Sequence, residues 1–168
     1  MPTGVTCVVP ARLGSTRFFG KLLTPLSGKP LIVHTLERAR DAGCFDRVLC
    51  LTDSEEIGTL AGARGFDWAL SGEAANGTER IAKSLSLPAL QTASHIVNLQ
   101  GDEPAFPPEG LRILADAIVQ EPRWAHTLVH QKPPSDAELA NGNRVKAILD
   151  PQRFVTDFTR QADPGLPA

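Results

Sequence analysis

The sequence predicts an α/β fold, a doubly wound and mostly parallel sheet, and three observations carry that expectation. Short apolar runs rich in β-branched residues recur along the chain. They are nearly continuous rather than alternating, which suits parallel strands covered on both faces. Segments with helical periodicity fall between them, so strand and helix take turns.

The first run is Val5-Thr6-Cys7-Val8-Val9, closed by Pro10; the second is Val48-Leu49-Cys50-Leu51-Thr52, and the third is Ile96-Val97-Asn98-Leu99. Pro30 is tolerated in the first turn of a helix, and Ile32, Leu36 and Ala39 follow on one face until Gly43 stops the pattern. Asp53 and Glu56 have capping-box spacing, opening a helix through Ile57 and Leu60. Capping accounts for Asp53, which is assigned no catalytic part. Asn76 and Glu79 repeat the spacing ahead of Ile81 and Leu85, and Pro88 interrupts that helix. Leu111, Leu114, Ala115 and Ile118 form a further stripe after Pro107-Pro108. Two more strands are expected at 125–129 and 144–149. The expected organisation is one domain over residues 1–160 and a loose, aperiodic tail at 161–168.

Composition narrows the function classes. A chain of 168 residues, 42% hydrophobic and 21% charged, has the make-up of an ordinary globular domain. Aromatic content is 5% with no Tyr, which argues against stacking platforms for nucleic acid. A net charge of −2 with both signs interspersed gives neither a duplex-binding face nor a membrane-seeking one. Any anionic ligand must therefore meet a local cluster of cations. Cys7, Cys44 and Cys50 lack metal-ligand spacing, and free thiols suit a reducing compartment. With no apolar run long enough for a bilayer and no secretory signal at Met1-Pro2-Thr3-Gly4, the expected location is cytoplasmic. His34, His95, His126 and His130 show no ligand spacing.

In doubly wound sheets ligands bind beyond the carboxyl ends of the strands, which singles out the segments after Val9, Thr52 and Gln100. The first is Pro10-Ala11-Arg12-Leu13-Gly14-Ser15-Thr16-Arg17-Phe18-Phe19-Gly20-Lys21. Its cations, hydroxyls and glycines match the charge and acceptor oxygens of a triphosphate, although a solvated basic loop has the same composition. The spacing before Lys21 is neither that of a Walker loop nor that of a dinucleotide fingerprint. In Gln100-Gly101-Asp102-Glu103-Pro104, Asp102 stands just past a strand, either as a turn residue or as a carboxylate able to hold Mg²⁺. Asn76-Gly77-Thr78-Glu79-Arg80 reads as a helix N-terminus, which can also present N–H groups to a ligand. There is no nucleophile elbow and no Cys/His pair.

In their order and spacing these segments resemble the 3-deoxy-manno-octulosonate (Kdo) cytidylyltransferase family, the CTP-dependent enzymes that activate Kdo for lipopolysaccharide. The matching residues are Val9-Pro10-Ala11-Arg12, Ser15-Thr16-Arg17, Gly20-Lys21, Gly28-Lys29-Pro30, Thr52-Asp53, Gly77-Thr78-Glu79-Arg80 and Gln100-Gly101-Asp102-Glu103-Pro104. Asn143 with Val145-Lys146 and Phe158-Thr159-Arg160 extend the likeness weakly. The resemblance implies a Rossmann-like nucleotidyltransferase fold. It implies CTP binding by Arg12, Ser15, Arg17, Lys21, Thr78, Arg80 and Gln100, a catalytic part for Arg12, Lys21 and Asp102, and Mg²⁺ on Asp102. It further implies CTP and Kdo as partners, CMP-Kdo and pyrophosphate as products, and a homodimer. The runner-up readings are another sugar acid, such as a sialic acid, and a protein that holds CTP without turning it over.

Two departures from the family pattern stand out. Phe19 takes the place of a usual Pro, which removes a fixed φ just before Gly20-Lys21. Family members also run on for roughly half this length again, well beyond one minimal domain. By resemblance, that part carries a second metal-binding Asp, much of the sugar-acid pocket and the dimer contacts.

Overall fold

Every residue of Val5–Ala11 is buried, and this segment forms the strand β1 in the interior of a four-stranded sheet. The computed structural model describes residues 4–14, 18–121, 125–129, 135–152 and 154–161. After β1 come a 3₁₀ turn at Lys21–Leu23 and a small hairpin, β2 (Pro25–Leu26) and β3 (Lys29–Pro30). Ser27 and Gly28 turn this hairpin with φ of 50° and 83°, a left-handed pair that Gly28 makes cheaper. Helix α1 (Leu31–Ala42) follows, ending on Gly43 at φ 66°. The chain continues through β4 (Arg47–Thr52), α2 (Glu55–Gly62), β5 (Asp67–Leu70), α3 (Gly77–Lys83), α4 (Pro88–Gln91), β6 (His95–Asn98) and α5 (Pro108–Gln120).

The sheet order is β5-β4-β1-β6 and every pairing is parallel. Val9 lies opposite Cys50, and Cys7 opposite both Val48 and Val97. Side chains of β1 alternate between two apolar layers. Cys7 and Val9 join Ile32, Leu36, Ile57 and Leu111 on one side, whereas Val8 packs with Leu49, Leu51, Ile81 and Leu90 on the other. Helices α1, α2 and α5 thus cover one face, and α3 and α4 the other. The expected doubly wound parallel architecture is the one observed.

Several local expectations change. The N-cap of α2 is Ser54, whose hydroxyl accepts from the Ile57 amide, and not Asp53. Pro88 does not merely interrupt a helix: it occupies the first turn of α4. β5 was not anticipated. No strand forms at 125–129, where Leu128 and Val129 are exposed.

The chain divides into two compact units, Met1–His126 and Thr127–Ala168. The second holds α6 (Asp136–Ala140), opened by a complete capping box between Ser135 and Glu138, and the antiparallel hairpin β7 (Lys146–Leu149) and β8 (Val155–Thr159). The strand expected at 144–149 is therefore present, as an arm of this hairpin. Apart from Gln161, the expected tail lies outside the described residues. Among the described residues, no helix is long and apolar enough to cross a membrane.

Candidate functional site

The parallel sheet places the ends of β5, β4, β1 and β6 side by side, and several of the polar residues singled out above, Lys21, Thr78, Gln100 and Asp102 among them, lie at or near its carboxyl edge. Beyond β1, the Gly20 amide donates to the Leu13 carbonyl at 3.1 Å, closing the loop between them at its base. Gly20 adopts φ 69°, which a β-carbon would strain, and it leads into the 3₁₀ turn that begins with Lys21. Leu22 buries its side chain in the core and anchors the turn. Phe19, in the place of the usual Pro, is 72% exposed. Ser15 and Arg17 lie outside the described residues.

Lys21 reaches the end of β6, where its Nζ donates to Asp102 Oδ2 at 2.8 Å. Both side chains are nearly half-exposed (42% and 49%), so the pair contributes only about 0–1 kcal/mol and exchanges readily for other partners. The turn beneath Asp102 is held more firmly. Gly101 is buried, its amide donates to the Pro10 carbonyl at 3.3 Å, and its carbonyl accepts from the buried Thr35 Oγ1 of α1 at 2.9 Å. A β-carbon on Gly101 would come within 2.9 Å of that Pro10 carbonyl oxygen, so only glycine permits the approach.

Residues 76–80 and Gln100 also meet here. The Asn76 side chain caps α3 by accepting from the Glu79 amide, as expected, and Glu79 accepts from the Ala75 amide. Lys83 and then that amide hold the Glu79 carboxyl below its usual range. Asn98 Nδ2 donates to Thr78 Oγ1, and Gln100 Nε2 donates to Asn98 Oδ1, linking the start of α3 to the end of β6. A β-carbon on Gly77 would lie 2.8 Å from both Gln100 Oε1 and Pro10 Cγ. An open cleft of about 530 Å³ lies beside this cluster; Arg12, Gly14, Asp53 and Lys83 are among its lining residues.

Arg80 is placed differently from its neighbour Thr78. It is 3% exposed, and its guanidinium donates to the Ser71 hydroxyl, to the Gly72 carbonyl at 3.2 Å and to Asp53 Oδ2 at 2.7 Å. Asp53 uses its other oxygen to accept from the Leu13 amide at 3.1 Å. This use of Asp53 lies outside the expectations drawn from the sequence, as do the contacts of Thr35 and Asn98. One signal was available: Asp53 and Ser54 are both capping residues, and one helix end needs one cap.

Cys7 and Cys50 are buried and free; burial pushes both thiols up to about 12. Among the described residues no group of three or more His, Cys, Asp or Glu side chains could hold a metal ion. Asp102 fits the other manner of holding Mg²⁺, in which one exposed carboxylate is supplemented by substrate oxygens and water.

Parallel strands wound with helices on both faces, with a cationic loop and an opposed carboxylate at their carboxyl edge, define a Rossmann-like nucleotidyltransferase fold. The chain belongs to the cytidylyltransferase family, whose model matches residues 6–165. Among solved structures, a CMP:2-keto-3-deoxy-manno-octonic acid synthetase complexed with CTP is 27% identical, with a TM-score of 0.78. That likeness covers 96% of this chain and 66% of the synthetase, so the chain spans just under two thirds of the synthetase's length. Rv0371c from Mycobacterium tuberculosis H37Rv is 27% identical over 71% of this chain and 63% of its own, with a TM-score of 0.56. The same protein has been solved as a complex with manganese (26% identity, 70% and 60% coverage, TM-score 0.52). A cytidylyltransferase from Leptospira borgpetersenii serovar Hardjo-bovis is 26% identical over 70% of this chain and 49% of its own, with a TM-score of 0.59.

Proposed function

We propose that this protein transfers CMP from CTP to 3-deoxy-manno-octulosonate, giving CMP-Kdo and pyrophosphate for lipopolysaccharide synthesis in the cytoplasm. The observation that carries the reading is the meeting of Lys21 and Asp102 at the carboxyl edge of the sheet. A nucleoside triphosphate brings anionic oxygens and a hydrated cation together, and this pair offers a partner to each. The likeness of nearly the whole chain to a synthetase complexed with CTP supports the choice of nucleotide and of sugar acid.

In this reading Arg12 and Lys21, with Ser15 and Arg17 of the same loop, bind the phosphates. Thr78 and Gln100 shape the nucleotide side of the pocket. Asp102 is the residue that would hold Mg²⁺, for which the manganese complex of a relative gives support. When bound, such an ion would neutralise phosphate charge and polarise a phosphoryl oxygen. The anomeric hydroxyl of the sugar acid attacks that phosphorus, the new P–O bond forms as the bond to pyrophosphate breaks, and the hydroxyl proton leaves to solvent. No covalent intermediate on the protein is needed, because this kind of transfer depends chiefly on positioning and charge stabilisation. Arg12 and Lys21 stabilise the charge that develops on the leaving pyrophosphate.

Pyrophosphate release from CTP with Mg²⁺, measured with Kdo and separately with N-acetylneuraminate, tests the proposal. Release with Kdo alone, with CMP-Kdo recovered as product, is expected. Release only with N-acetylneuraminate reassigns the sugar acid. CTP binding without release to either makes this a nucleotide-holding protein.

A further inference from the structure

We infer that Arg80 and Asp53 act as positioning residues, setting the nucleotide-binding loop through the backbone of Leu13 without Arg80 touching the nucleotide. The inference rests on the proposed reading of residues 10–21 as that loop.

A guanidinium that is 3% exposed is costly to hold unless its donors are satisfied, and Arg80 has three acceptors: Ser71, Gly72 and Asp53. None of the three is needed to build α3, whose N-cap is Asn76. All lie just past strand ends instead. Ser71 follows β5, and its amide donates to the Thr52 carbonyl at 2.7 Å; Asp53 follows β4 directly. Arg80 therefore ties the ends of two strands together and holds the Asp53 carboxylate in one orientation. The free oxygen of that carboxylate reaches the end of β1, where it accepts from the Leu13 amide. Leu13 is next to Arg12, and its carbonyl accepts from the Gly20 amide, next to Lys21. One hydrogen-bonded path thus runs from a buried cation to the base of the loop that carries Arg12 and Lys21. Ser54 already caps α2, so helix formation does not account for the Asp53 carboxylate.

The test is a double-mutant cycle on CTP affinity, with R80M, D53A and the double variant. Residue-resolved hydrogen exchange of the Leu13 amide is followed in parallel. Misplacing a loop that orients charged groups weakens ligand binding on the order of tenfold or more. If Arg80 acts through Asp53, R80M and D53A each lose CTP affinity and speed Leu13 exchange, and the double variant is no worse than the weaker single one. Additive losses in the cycle would mean that Arg80 meets the nucleotide directly and would overturn the inference, as would Leu13 exchange that R80M leaves unchanged. Should R80M fail to fold, D53A, which removes a side chain 30% exposed, carries the test: unchanged Leu13 exchange or unchanged CTP affinity there overturns it. A wild-type protein that binds no CTP sinks the proposed function. Leu13 exchange in the variants still reports on the tether by itself.

Discussion

The turn that presents Asp102 depends on a hydroxyl far away in sequence, and Thr35→Val isolates that dependence. Thr35 is fully buried in α1, and its Oγ1 donates to the Gly101 carbonyl at 2.9 Å across 66 residues. Valine keeps the shape and the β-branching, so helix propensity barely changes. It deletes the donor beneath a buried carbonyl, a loss of about 1–3 kcal/mol. The added methyl recovers at most about 0.8 kcal/mol of apolar burial. With the full recovery subtracted, a net loss of about 0.2–2.2 kcal/mol remains, and near 2–4 °C per kcal/mol this lowers the melting temperature by about 0.4–9 °C. Calorimetric unfolding of the variant beside Thr59→Val, at an exposed position of α2, measures it; the control should stay within about 0.5 kcal/mol of wild type. A Thr35→Val protein as stable as that control would refute the claim that this hydrogen bond holds the Asp102 turn.

Three further outcomes follow from the site and the core. Lys21→Ala should leave the fold intact and weaken CTP binding by about 1.5–3 kcal/mol, roughly 10- to 150-fold, by calorimetry. Asp102→Asn keeps the side-chain shape and loses the charge, so the difference between CTP titrations with Mg²⁺ and with chelator should vanish; a persisting difference would return Asp102 to a turn role. In the folded protein at pH 8.5, iodoacetamide should modify Cys44 while sparing Cys7 and Cys50, because burial holds the latter two as thiols up to about pH 12. Their folded-state pKa lies above the ordinary value of 9.0, so the associated stability is complete below pH 9.0 and is lost as pH rises toward about 12.

The elements legible in the sequence are those with strong local signals. β1 is seven buried residues long, and α1 and α5 carry apolar stripes with Pro before them. β5 was hidden because Asp67-Trp68-Ala69-Leu70 is a short edge strand, mostly exposed, whose place is set by pairing with β4 and by Trp68 against Gly58 and Gly62. Residues 125–129 read as a strand by composition, but they pair with no strand among the described residues. In the site, the cationic loop and the Gly-Asp turn could be named from chemistry at a strand end. Their pairing could not, since Lys21 and Asp102 are 81 residues apart. The same distance problem concealed Asp53. Local capping offered it a sufficient explanation, whereas its actual partners, Leu13 and Arg80, are 40 and 27 residues away.

The most direct test of the account is a residue-resolved NMR titration of the ¹⁵N-labelled protein with CTP and Mg²⁺. Saturable shifts are expected, concentrated in residues 10–21, 77–80 and 98–103, with the Lys21 and Asp102 signals moving together as each exchanges its partner. Shifts confined to other parts of the chain, or no saturable response to CTP, would contradict it.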